Sequence, residues 1–462
     1  MEPKDIITGK IKQGDLEVSF VGEDHRFVFL PSKYISDPII FNHEIGVLKP
    51  DNDFLKGRTF SGQWIWIYCR TPLSLTPTSI LNTWLYIIST GDMNDFPEMF
   101  DSIRFEGGSL NSTFYQKSLK YDFGHEDDNK VSLTLENDTI TIPLNDDNVT
   151  DLKVYSTVIE SSSITNGISV YNTGAKLRLT FQESTRIDDH KQGFIKHYGD
   201  INTLISFMTF RQNIYFDHVY LGLGIKDEYK ENEIFITKFA ECFLKKPEII
   251  DEPRKTIRCI TFDELTHDSI AKLYKTINTR DSKKPSYHVS FLPQSAKEAS
   301  YVTITQLREV CTSMELEASL AHIHASNERA LRNLTEKIQE VINASKLQDE
   351  LTEREYSYIQ GNISHWNAPA AELAKQLFNE NKESLIYLLK FVNKDNLTEE
   401  DIQAVIKVRN SATHTGAFSF SEKEVKSLFV MMGVVYSAIL KRCDVSSTII
   451  NEIFEHGLMT VR

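Results

Sequence analysis

The sequence predicts an α+β protein: a mainly antiparallel, β-sandwich-like first part followed by an all-helical bundle. Three observations lead there. Up to about residue 245, apolar and polar side chains alternate in short runs broken by Gly, Asn and Asp, the period of strands joined by turns. From residue 303 onward the alternation gives way to apolar residues three and four apart. Between them, KKPEIIDEPRK (245–255) concentrates charge and two prolines, as linkers do. A chain of 462 residues also exceeds one ordinary core. The expected division is a β-rich domain over 1–245, a linker with one helix over 246–298, and a helical domain over 299–462.

Taken in order, ITGKIKQGDLEVSFVG (7–22) and HRFVFLP (25–31) read as hairpin strands punctuated by Gly-Asp. In TFSGQWIWIYCR (59–70), Trp64 and Trp66 share one strand face and Ile65 and Ile67 the other. TWLYIIST, SIRFEGG, KVSLTLEND, TITIPL, LKVYSTVIE, ISVYN, AKLRLTFQES and QNIYFDHVYLGLGI continue the series, with Gly107-Gly108 as a hairpin turn. DINTLISFMTFR (200–211) interrupts it with Ile201, Leu204, Ile205 and Met208 at helical spacing. TFDELTHDSIAKLYKTIN (261–278) supplies the linker helix.

Helices are then expected near 303–325, 326–345, 350–365, 369–392, 399–415 and 422–442, the fourth breaking near Asn379-Glu380-Asn381. Leu307, Val310, Cys311, Met314 and Ala318 form one apolar stripe. Thr398 caps the fifth helix, with acidic residues in its first turn. Ser421-x-x-Glu424 is a capping box for the sixth. The near-apolar run LFVMMGVVYSAIL (428–440) would span about 20 Å as a helix, too short for a bilayer and apt for a buried bundle helix.

Composition narrows the function classes. MEPKDIITGK has no apolar core of a secretory signal, and the five scattered cysteines hold no C-x-x-C, so a reducing cytoplasm is expected and no zinc ribbon or disulfide framework. A net charge of −14 argues against nucleic-acid binding over the whole surface and leaves room for a local site. No phosphate-cradling glycine motif stands out, so no nucleotide cofactor is expected. His322 and His324, two apart on a helix, would point about 200° apart and cannot share a metal. His365-Trp366 reads as packing, Asp127-Asp128 and Asp146-Asp147 as solvated turns. Trp64 and Trp66 could offer a carbohydrate platform, with core packing the plainer reading.

One stretch carries chemistry: KVRNSATHTG (407–416) at the end of the fifth helix, with Gly416 placed to stop it. Asn410 and His414 are one turn apart on one face, while Arg409 lies about 140° round the axis from His414. His414 would sit in the last turn, where the helix dipole favours imidazolium. A histidine titrating near neutrality can act as general acid or base. A permanently charged guanidinium can hold a phosphate and stabilise a phosphorane, and an amide can orient either. The blander reading is a helix C-terminus whose Arg and His satisfy terminal carbonyls.

Arg409-Asn410-Ser411-Ala412-Thr413-His414 resembles the R-x(4–6)-H signature of HEPN domains, with its polar residue directly after the arginine. HEPN domains are helical bundles, many of them metal-independent ribonucleases. The place of the motif, late in the bundle and before one last long helix, is similar as well. TSMELEASL resembles their acidic early helix, with Glu315 or Glu317 as the helix-borne glutamate; the residues leave that choice open. A β-rich first half joined to such a bundle resembles the ApeA-type abortive-infection proteins of bacteria. That resemblance implies a cytoplasmic antiphage endoribonuclease held inactive until a phage-derived trigger arrives. It implies cleavage of host RNA, tRNA anticodon loops above all, by 2′-hydroxyl attack without metal or cofactor. It also implies a homodimer or higher homo-oligomer through the bundle, with two motifs facing one cleft, and no membrane. The competing reading is a non-catalytic protein: a lectin-like sandwich that binds a ligand and a helical bundle used for assembly.

Overall fold

The computed structural model of the protein describes residues 6–31, 46–76, 78–90, 98–114, 120–123, 131–134, 139–144, 148–163, 168–226, 234–251, 254–279, 284–323, 328–348, 350–364, 370–415 and 419–459. The chain forms two compact units, residues 1–275 and 276–462. The first is built on strands and the second on helices.

In the first unit the hairpin pattern folds as read. Strands β1 (Ile7–Gln13), β2 (Leu16–Glu23) and β3 (Arg26–Pro31) pair in sequence. The β2–β3 turn uses positive φ at Asp24 and His25, 47° and 67°, the handedness that tight hairpins need. There follow β4 (Gly46–Leu48), β5 (Phe54–Thr59), β6 (Trp64–Tyr68), β7 (Leu73–Leu75), β8 (Ser79–Asn82), β9 (Leu85–Ser89) and β10 (Met99–Glu106). The later strands are β11 (Lys120–Phe123), β12 (Val131–Thr134), β13 (Thr139–Pro143), β14 (Val149–Ser163), β15 (Ile168–Arg186), β16 (His218–Lys226) and β17 (Ile234–Leu244). Helix α1 (Phe194–Thr209) lies between β15 and β16.

Thirteen of these strands hydrogen-bond into one continuous antiparallel sheet, in the order β13-β14-β15-β10-β16-β17-β9-β6-β5-β1-β2-β3-β8. Two small two-stranded ladders, β11-β12 and β4-β7, accompany it. The sheet buries opposite faces in its two parts. From β9 to β3 it curls round a core of Phe20, Phe27, Phe29, Leu55, Ile65, Ile67 and Tyr86, so that the Phe27 and Tyr86 rings meet at 5.4 Å. Over β14, β15, β10 and β16 the other face is buried, with Leu152, Leu179, Ile103 and Leu221 fully covered. On that side α1 meets the sheet through Phe105–Tyr198 and Phe181–His197 ring contacts.

The tryptophans of β6 part company with the simple alternation. Ile65, Trp66 and Ile67 are all buried, because both faces of this strand are covered, and Trp64 is partly exposed with Arg58 over its ring at 5.2 Å. Gly107 and Gly108 are not a hairpin turn: they end β10 with φ of 66° and 57° and lead into a short 3-10 turn at Gly108–Ser112. A side chain on Gly107 would lie 2.2 Å from Asp217 Oδ2, the atom that accepts the Gly108 N–H at 2.7 Å. Helix α1 begins at Phe194, ahead of the expected start, since Phe194 and His197 extend its buried face.

Helix α2 (His267–Asn278) forms within the segment 261–278 expected to be helical, and the division between the two units falls inside it, after Lys275. The second unit contains α3 (Ile304–Leu320), α4 (Glu328–Leu347), α5 (Glu353–Ser364), α6 (Ala370–Asn381), α7 (Ile386–Phe391), α8 (Glu399–Thr415), α9 (Glu422–Arg442) and α10 (Ser447–Glu455). Helix α9 is its axis: nearly every side chain from Ser427 to Leu440 is buried, and α3, α6 and α8 pack around it. The apolar run is thus a core helix. No helix among the described residues is long and apolar enough to cross a membrane. The expected break falls at Asn381, whose amide donates to Leu377 O and whose Oδ1 accepts from Ser437 Oγ. Helix α3 stops at Leu320, short of expectation, because His322 takes a left-handed φ of 55° and the Ile323 N–H returns to Ala318 O. His324, His365 and Trp366 lie outside the described residues. Helix α10, which the reading by periodicity passed over, is capped by Ser446 and buries Ile450, Ile453 and Phe454. The five cysteines are free thiols, and all are buried.

The start of α8 is pinned. Thr398 Oγ1 accepts the Asp401 N–H, and the Asp401 carboxylate receives Lys394 Nζ at 2.7 Å and Lys423 Nζ at 2.8 Å. Burial works to raise the Asp401 carboxyl, but hydrogen bonds from Lys394, Lys423 and the Thr398 backbone outweigh it and hold the pKa at about 2. The folded value lies below the unfolded one of about 3.9, so the group favours folding above about pH 4. That contribution is lost as pH falls towards the folded pKa of about 2. Asp401→Asn is therefore expected to lower stability at neutral pH by on the order of 2 kcal/mol. It should also flatten the dependence of the urea midpoint on pH between about 4 and 2; identical slopes in the two proteins would clear Asp401 of the role.

Candidate functional site

The site is built where α8 ends against α3. Val405 and Ala412 face inward and are buried, which turns Arg409 to the edge of the helix and leaves Asn410, Ser411 and Thr413 exposed. Arg409 reaches across to α3: its Nη1 stands 3.7 Å from Glu315 Oε1, and its Nε donates to Asn410 Oδ1 at 3.2 Å. Thr413 Oγ1 donates back to Arg409 O at 2.8 Å, a local bond that steadies the last turn. One turn before Glu315, Cys311 is buried beneath the same edge. Burial pushes its thiol up to about 11, with the Arg409 guanidinium pulling weakly the other way.

Arg409, Asn410 and Glu315 are thus brought together. His414 lies in the last turn of α8, one turn beyond Asn410, and its side chain is outside what the structure describes, as is Gly416.

Glu315 and Glu317 are separated. Two residues apart on a helix, they point about 200° apart, and each has its own arginine. Glu317 is buried, with side-chain exposure of 1%, and pairs with Arg442 of α9 through Nε–Oε2 at 3.0 Å and Nη2–Oε1 at 2.8 Å. Arg442 Nη2 also donates to Ser286 O at 2.9 Å. Burial raises the Glu317 carboxyl and the guanidinium opposes the rise. The pair ties α3 to α9.

The Arg409–Glu315 contact is of another kind. Glu315 is 53% exposed, the separation is long, and solvent screens the attraction, so such a pair is worth at most about 1 kcal/mol. It holds the guanidinium near one place without consuming it. A phosphate, which offers two oxygens to the planar fork, would displace the single carboxylate contact. Sequence pattern alone could not separate the two glutamates, because both arginine partners come from distant helices.

Among the described residues no group of three or more His, Cys, Asp or Glu side chains could hold a metal ion. Family models, curated proteins and solved structures yield no match to this chain.

The two Arg–Glu pairs should respond differently to loss. Arg442→Leu strands a buried carboxylate and is expected to cost about 3–5 kcal/mol in urea unfolding. Glu315→Gln removes only a screened contact and should stay within about 0.5 kcal/mol of the parent. Equal losses for the two would contradict the distinction.

Proposed function

We propose that the protein is a metal-independent endoribonuclease of the HEPN type, resembling the ApeA-type abortive-infection proteins. The supporting observation is the end of α8: Arg409 is tethered by a half-exposed Glu315 at 3.7 Å and by Asn410, at the edge of a helical unit, with position 414 one turn further on. Arg442 commits two nitrogens to a bidentate pair with Glu317, whereas Arg409 meets Glu315 through one nitrogen alone.

In this reading Arg409 binds the scissile phosphate and neutralises the charge that grows on its oxygens. His414 takes the proton of the 2′-hydroxyl as that oxygen attacks phosphorus, or returns a proton to the leaving 5′-oxygen. The P–O5′ bond breaks as the P–O2′ bond forms, leaving a cyclic phosphate and a free 5′-hydroxyl. Asn410 orients the guanidinium, which its Oδ1 already contacts, and Glu315 holds Arg409 in reach until RNA arrives. Two chains paired through their helical bundles would set two such motifs across one cleft, one copy's histidine working with the other's arginine. The sheet unit, read as sandwich-like, would sense a phage-derived trigger in the cytoplasm and release cleavage of host RNA, with tRNA anticodon loops the target class.

The test is RNA cleavage by the parent, Arg409→Ala and His414→Ala proteins with a chelator present. Each substitution is expected to reduce cleavage by at least about 100-fold, within the range that a general acid–base or a transition-state donor supplies. The chelator should leave the parent's activity intact. Undiminished cutting by both variants, or activity abolished by the chelator, overturns the mechanism; no cutting by any of the three, with ligand binding by the sheet unit retained, favours the non-catalytic assembly reading.

A further inference from the structure

The outer face of β14, β15, β10 and β16 carries a row of cations that folding alone does not explain. Lys153, Arg178, Arg104 and Tyr220 are directly opposite one another across four neighbouring strands. The adjoining row is Tyr155, Lys176, Glu106 and His218. Their chain neighbours Leu152, Val154, Leu177, Leu179, Ile103, Phe105 and Val219 fill the core, so the strand period aims both rows outward.

Like charges directly opposite on one sheet face are destabilising, and here three stand in sequence. Glu106 compensates part of the patch: Arg104 lies 2.7 Å, Lys238 3.6 Å and Lys176 3.7 Å from its carboxylate. Glu241 is engaged by His218 at 2.9 Å, and Asp151 accepts from Thr180. The Lys153–Arg178 end has no carboxylate partner among the described residues, and Arg178 Nε is sealed from solvent without a hydrogen bond. In a chain of net charge −14 this is a local excess of positive charge, maintained at a cost to stability.

Aromatic rings are interleaved with the cations. Lys238 Nζ sits 3.4 Å over the Tyr220 ring and the Arg104 guanidinium 5.3 Å from it, while His218 stacks beside Tyr220 with centroids 5.8 Å apart. With strands about 4.8 Å apart, the row Lys153–Arg178–Arg104 runs about 10 Å in a straight line. A flexible chain of phosphates with flat bases attached meets such a surface at both levels, phosphate on cation and base on ring.

We propose that this sheet face binds single-stranded nucleic acid, with Lys153, Arg178 and Arg104 contacting successive phosphates and Tyr220 stacking a base. The surface belongs to the first unit and Arg409 and His414 to the second, and its occupancy does not depend on the chemistry assigned to them.

The test is fluorescence anisotropy of the full chain with a short, unstructured, labelled 2′-O-methyl oligonucleotide, which 2′-hydroxyl attack cannot cleave. Lys153→Glu with Arg178→Glu is expected to weaken binding at least about tenfold. It should also make the slope of log affinity against log salt shallower by about 1.4, the share of two phosphate contacts on a single strand. Tyr220→Ala should weaken binding with the slope unchanged, and Arg178→Lys should retain it. Thermal midpoints of the charge-reversed protein should stay close to the parent's, since positions 153 and 178 remain like-charged while position 178 turns from repelling Arg104 to attracting it; if the reversed protein fails to fold, Lys153→Gln with Arg178→Gln reads the same slope. Unchanged affinity and slope in the folded variants overturns the proposal. So does displacement of the oligonucleotide by polyglutamate at equal affinity, which would mark the face as a dock for an acidic protein.

Discussion

The first unit depends on one constraint: a single sheet has to bury opposite faces at its two ends. Strands β9 and β6 stand where the change occurs, and they are covered on both sides; every residue of β9 from Leu85 to Ser89 is buried. Their sequences, LYIIS and WIWIY, are accordingly apolar without a break. Curling on one side closes a core around Tyr86 and Phe27, and α1 closes the other around Phe105 and Phe181. The arrangement leaves one broad stretch of sheet facing outward beside the curl. That stretch is where the cation row sits, so the surface follows from how the apolar layers are divided.

The second unit solves a different problem. Helix α9 is apolar nearly all round and needs neighbours on every side, which α3, α6 and α8 provide. Polar ties fix the register: Glu317 with Arg442 between α3 and α9, and Asp401 with Lys394 and Lys423 at the start of α8. With the carboxylates of both ties buried, the far end of α8 is free to carry polar groups at little cost to the core. Arg409 and Asn410 occupy that end.

Much of this was legible in the sequence, for physical reasons that differ by element. Thr398 and Ser421 marked the starts of α8 and α9, because a capping hydroxyl and a following acid satisfy the same orphan N–H groups wherever they occur. The strand period gave β1 to β3 and the textures of both units. What escaped were features settled by distant partners. The order of strands, and with it the pairing of β10 with β15 and β16 across the Gly107-Gly108 break, depends on contacts 70 to 120 residues apart. Helix α10 is short and follows a turn, and Ser446 ahead of Ile449, Ile450 and Ile453 was the signal that could have found it. At the site, the motif named Arg409, Asn410 and His414, but only packing distinguishes Glu315 from Glu317. The cation row was invisible for the same reason: Lys153, Arg178 and Arg104 come from three strands and become neighbours through register alone.

The buried thiols carry a practical consequence. Burial raises the pKa values of Cys259 and Cys311 to about 11 and that of Cys242 well above its ordinary value, so almost none of these three is thiolate at neutral pH. Maleimides and oxidants react with the thiolate and need access to it, and all five side chains are enclosed. A single cysteine placed on the outer sheet face, or on the exposed side of α8, would then be the one reactive sulfur of the folded chain. The native sequence is thereby already suited to attaching a dye or spin label at a chosen point, with no prior removal of its own cysteines.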